Sequence, residues 1–203
     1  MLAYLVLLLA ILSRILPHAF HAVSWNFTAL GGGLLFFGSR MGATGAHPGA
    51  APRGFAWSTA ARLASALAAL IATDYYLTVF AYQYPFRASS YAITWVWYAA
   101  VCLLGMGLLQ KPTALRVAAG VFASATSFFL VSNFMVWVGG PVGNMYPRTL
   151  AGLVACYAAA IPFYRNDLVS TAITAGALFG LPALAARVVQ SLQAAHHDDL
   201  PMA

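Results

Sequence analysis

The chain has 203 residues, of which 62% are hydrophobic and only 7% are charged, with a formal net charge of +6. Soluble domains carry about 25% charged residues, so this composition excludes a soluble globular domain and describes an integral membrane protein. The basic residues are scattered singly, mostly at predicted helix ends. That pattern fits the rule for membrane orientation rather than a phosphate-tracking groove, so nucleic acid is excluded as a partner and the lipid bilayer is expected as one.

In chain order, the hydropathy pattern predicts an all-α bundle of six spanning helices over residues 1–189, with a flexible cytoplasmic tail at 190–203. The first is Met1–Leu16, which lacks the basic leader of a signal peptide and is read as a retained helix. The second is Thr28–Met41, and both are short enough to lie obliquely. A Gly-, Ala- and Pro-rich connection, Gly42–Ser58, leads to the third helix, Thr59–Phe80, which contains Asp74, the only acid expected inside a span. The fourth is Tyr91–Leu109 and the fifth Ala114–Val138.

The next stretch is the most specific in the chain. Between Arg148 and Arg165 lies the apolar run Leu150–Phe163, too short to span a bilayer, which needs roughly 20 residues. Turn formers stand at both ends. The run is therefore expected to be a re-entrant half-helix that enters and leaves on one face, followed by the last span, Leu168–Val189. A seventh span is the alternative.

Arg40, Arg53, Arg62, Lys111, Arg116 and Arg187 fall on one side of this layout, and Arg14, Arg87, Arg148 and Arg165 on the other. The excess of positive charge places both termini in the cytoplasm, here the inner-membrane side of a bacterium. Small residues recur at every fourth position: Ala60, Ala64, Ala68 and Ala72, then Ala119, Ala123 and Ser127, then Ala172, Gly176 and Gly180. Such stripes let helix backbones approach closely. They are expected to pack inside the bundle, with a docking face for a second membrane protein as the alternative.

Candidate chemistry collects on the extracytoplasmic side. An intramembrane carboxylate is costly and is usually paired or functional, so Asp74 should meet Arg148 or Arg165. Asn133 falls inside an apolar helix and must find a hydrogen-bond partner. With Asn26, Tyr75, Tyr84, Trp137, Tyr146 and Asn166, these residues are expected to line a site with aromatic walls and a few polar groups, suited to a small molecule. The two arginines could hold a carboxylate or phosphate.

Enzyme motifs are absent: there is no HExxH, GxSxG or P-loop. No cofactor or metal is expected. Cys102 and Cys156 lie in apolar runs with no metal spacing and read as buried thiols.

Two signatures carry a resemblance. Arg14-Ile15-Leu16-Pro17-His18 followed by Trp25-Asn26-Phe27-Thr28 resembles the opening of an uncharacterised bacterial family of small membrane proteins assigned to transport. Tyr146-Pro147-Arg148-Thr149-Leu150, Cys156-Tyr157 and Ile161-Pro162-Phe163 resemble its second signature. Ala19 and Ala29 depart from it, standing where the family has prolines. That family is similar in size and layout to the substrate-binding S-components of energy-coupling-factor vitamin transporters. The resemblance implies a substrate-binding subunit or small transporter for a vitamin-like or anionic molecule, with an ATPase-coupled membrane partner. A structural or accessory subunit of a larger membrane complex is the alternative.

Overall fold

The computed structural model describes residues 1–19, 27–42, 57–139 and 145–198. Among these the chain is all-helical: α1 Leu2–Ala19, α2 Leu30–Met41, α3 Trp57–Tyr76, α4 Ala88–Leu108, α5 Ala114–Gly139, α6 Leu150–Ala175 and α7 Leu181–Asp198. A π-helical turn, Leu77–Ala81, prolongs α3, and another, Gly176–Gly180, joins α6 to α7. Among the described residues these form six helical rods. Four are long and apolar enough to cross a membrane: Ser58–Ala81, Ala88–Leu108, Ala114–Gly139 and Leu150–Ala194.

One element differs from the sequence-based expectation. Leu150–Phe163 is not a re-entrant half-helix. It is the first half of a continuous rod that runs through Pro162 and Asp167 into α7. Pro162 removes one backbone donor, but helices in apolar surroundings tolerate this when neighbours reinforce them. Here Tyr157 donates to Leu130 O (2.7 Å), Tyr164 shares a hydrogen bond with Thr126 (2.9 Å), and Tyr164 stacks on Phe129 at 4.6 Å. Side-chain ties to α5 on both sides of the proline hold the continuous helix against its neighbour.

The short helix of the fold is α2. At 12 residues it is about 18 Å long. Every residue except Arg40 is buried. Its glycines make this possible. A Cβ on Gly38 would meet the carbonyl of Cys102, one on Gly32 would fall 2.8 Å from the backbone N of Ala175, and one on Gly33 would fall 2.7 Å from Ala10 Cβ. On α4, a Cβ on Gly105 would strike the carbonyl of Leu35. α2 is thus the core of the bundle, enclosed by α1, α4, α5 and α6. It runs antiparallel to α1, with Tyr4 against Phe37 (5.2 Å) and Ser13 against Ala29 (2.9 Å).

The small-residue stripes lie elsewhere than expected. Ala64, Ala68, Ala72, Ala119, Ala123, Ser127, Ala172, Gly176 and Gly180 are all exposed. A Cβ on Gly176 or Gly180 would meet nothing within 4 Å. Close helix packing is carried instead by the glycines of α2 and by Gly105.

Candidate functional site

The polar residues gather inside the bundle, level with the midpoint of α4. Tyr98, the midpoint of α4, is 1% exposed, as is Asp74 of α3. Arg14 of α1 forms an ion pair with Asp74 Oδ1 at 2.5 Å. Trp95 Nε1 donates to Asp74 Oδ2 (3.0 Å), and Tyr98 OH donates to Oδ1 (3.3 Å). The Arg14 guanidinium also lies 5.9 Å from the Tyr98 ring centre. A buried carboxylate that accepts three donors is fixed in place by them.

This corrects the expected partner. Asp74 pairs with Arg14, not with Arg148 or Arg165. The physical reason is depth. Asp74 lies seven residues inside the end of the α3 rod, whereas Arg148 sits beyond α6 and donates to Val138 O (2.7 Å) at the end of α5. Arg165 is exposed on α6.

Above the carboxylate, toward the α3–α4 connection, aromatic side chains form a ladder. Trp95, Tyr91 and Phe86 stack at 6.2 and 5.4 Å, and Tyr75 meets Phe86 edge-on at 5.2 Å. Thr78 links the two parts: its hydroxyl bonds Asp74 O (2.6 Å) and Tyr91 OH (2.5 Å).

Below it, α2 begins. The backbone N–H of Ala29 donates to Ser13 Oγ, one residue from Arg14. Thr171 of α6 lies against Gly31, where its Oγ1 occupies the space a Cβ would need. Thr171 is wholly buried, and its Oγ1 has no hydrogen-bond partner; the same holds for the buried Arg14 Nη1. The positive end of the α2 dipole therefore lies inside the bundle, with the unpaired Thr171 Oγ1 packed against it.

The remaining sequence candidates separate into groups. Trp137 donates to Pro147 O (3.0 Å) and joins Arg148 in clasping the turn between α5 and α6. Tyr146 lies half-buried in that turn. Asn133 bonds its own helix at Phe129 O (2.7 Å), and its carbonyl accepts from Cys156 Sγ (3.4 Å). Tyr75 belongs to the ladder, Tyr84 is exposed, and Asn166 lies half-buried on α6. Asn26 lies outside the described residues. Cys102 and Cys156 are buried free thiols. Sequence reasoning passed over Arg14, Trp95, Tyr98 and Thr171. One signal was available: Arg14 also interrupts an apolar helix, so two lone opposite charges each required a partner.

Nothing in the chain matches a curated protein or a solved structure. The family of unknown function DUF6580 matches residues 1–192, nearly the whole chain including every helix that builds this centre. The protein belongs to the DUF6580 family.

Proposed function

We propose that the chain is a multi-pass membrane protein that binds a small anionic solute halfway across the bilayer, as a transporter or as the substrate-binding subunit of one. The observation that carries this reading is two buried, unpartnered polar atoms: Arg14 Nη1 in the ion-pair centre and Thr171 Oγ1 against the N-terminal turn of α2. A buried donor left unpaired costs about 1–3 kcal/mol, a cost that a bound anion would offset. Half-length helices whose N-termini meet anionic substrate groups are a recurring device of transporters. The aromatic ladder supplies a wall for an organic body attached to the anion.

Charge supports an orientation. Arg40, Arg62, Lys111, Arg116 and Arg187 gather near the α4–α5 end, where Arg62 donates to Arg40 O and Arg116 to Lys111 O. Arg87 and Arg148 stand at the other end. The basic end is assigned to the cytoplasm, and the ladder then opens outward. The likeness to S-components adds an ATPase-coupled partner as the energy source.

The test is thermal stability of the purified protein against a panel of small carboxylates and phosphates and their uncharged counterparts. At least one anion should raise the melting temperature. Thr171→Val, which keeps side-chain shape, should lose that rise. Equal response to charged and uncharged compounds would remove the anion site.

One observation favours a second reading, an accessory subunit of a membrane complex. A groove of about 930 Å³ runs between α5 and the α6–α7 rod, with Ala114, Ala118, Ala172, Gly176, Gly180 and Ala183 among its lining. Small residues of this kind admit a neighbouring helix. Native mass spectrometry of gently extracted membranes separates the two: a stoichiometric complex with non-ATPase proteins and no bound solute favours the accessory role.

A further inference from the structure

The continuous course of α6 places a second carboxylate among the helices. Asp167 lines a cavity of about 130 Å³ between α5 and α6, together with Ala125, Phe128, Ser132, Asn133 and Tyr164. Ala125 stands near the middle of α5, about 17 Å from its start and about 21 Å from its end. Asp167 is thus far from both helix ends, unlike a residue at a loop.

Its surroundings differ from those of Asp74. Among the described residues, Asp74 has an arginine and two ring donors, whereas the Asp167 carboxylate forms no hydrogen bond or ion pair. The α5 face of the cavity carries no charge, and Tyr164 is its one other titratable group. Tyr164 is already engaged with Thr126. The neighbouring Arg165 is exposed and two positions away, which turns it about 200° around the helix from Asp167.

A carboxylate in this position has nothing to balance its charge, and an intramembrane acid without a counter-ion favours its neutral form. The cavity is large enough for about four water molecules, taking ~30 Å³ for each. Ser132 and Asn133 line the same cavity, each donating to its own helix at Phe128 O and Phe129 O.

We propose that Asp167 is a proton-binding site inside the bundle. It is distinct from the Arg14–Asp74 centre, which is fixed as an ion pair. This inference rests on the membrane reading above, and in a transporter it would make solute movement sensitive to the proton gradient. The reaction is simple protonation: one carboxylate oxygen takes a proton from water, and no other bond changes.

The experiment is infrared difference spectroscopy on the full chain in lipid, without added solute, as pH is raised. The expected result is a protonated-carboxyl band at mildly acidic pH that disappears on alkalinisation. It should be absent in Asp167→Asn and shifted but present in Asp167→Glu. Identical spectra for the native chain and a folded Asp167→Asn variant would overturn the proposal. If Asp167→Asn does not fold, an unshifted band in Asp167→Glu would overturn it equally. Because no solute is present, the outcome is independent of whether anions stabilise the protein.

Discussion

Arg14 and Asp74, 60 residues apart in sequence, form an ion pair of 2.5 Å in which the carboxylate is only 1% exposed. Breaking a buried pair on one side leaves an uncompensated charge, at a cost of about 3–5 kcal/mol. Arg14→Gln and Asp74→Asn should each lower thermal stability strongly. The double variant Arg14→Met, Asp74→Leu should recover most of the loss, since apolar replacement of both partners is often neutral. A double variant as unstable as the sum of the singles would show that the pair is not the shared cause.

The glycines of the α2–α4 crossing give a second prediction. Gly38 and Gly105 face backbone carbonyls of the opposing helix, while Gly107 on the same α4 faces open space. Gly38→Ala and Gly105→Ala should each destabilise by about 1–3 kcal/mol through overpacking. Gly107→Ala should be neutral or slightly stabilising, as alanine is the better helix former by about 1 kcal/mol. Denaturation midpoints of the three variants check the ordering.

The clasp at the α5–α6 turn is expected to be structural. Thr149 caps α6 by accepting from Gly152 N (3.2 Å), so Thr149→Ala should cost about 1 kcal/mol. Arg148→Ala removes a bond from an exposed arginine to Val138 O. Its effect should be smaller, and anion-induced stabilisation should persist in this variant, as measured by the same thermal assay.

The course of α6 can be tested by thiol labelling in a background where Cys102 and Cys156 are replaced. Tyr146→Cys, in the turn, should react with a membrane-impermeant maleimide added from one side. Arg165→Cys, about 24 Å further along the same rod, should not. Comparable labelling of both from that side would restore the half-helix.

Much of the helical layout was legible in the sequence. α3 with its π-helical turn, α4 and α5 match the predicted spans within three residues at each end, because long apolar runs bounded by polar turns admit little else. The short second helix was legible from its length, whereas 150–163 was misread as a half-helix. Pro162 and the trio Arg165-Asn166-Asp167 resemble a turn in one dimension. They are tolerated within a helix because Tyr157 and Tyr164 tie it to α5 and Asp167 meets a cavity. The same misplacement hid Asp167 as an intramembrane acid. Asp74 was recognised as needing a partner, yet its partner was sought among nearby arginines at the outer face. The depth of Arg14 emerges only once α1 packs along α2 and reaches Tyr98. The small-residue stripes misled for a related reason: spacing identifies a smooth face but not which way it turns.

The central claim is that the end of α2, with Arg14 and Thr171, holds a small anion inside the bundle. The most direct measurement is mass spectrometry of the small molecules released on denaturing protein purified from its membrane. The account predicts a carboxylate- or phosphate-bearing compound in near-stoichiometric amount, depleted from Thr171→Val prepared in parallel. A protein that carries no such compound, or a Thr171→Val variant that carries it at the native level, would contradict the account.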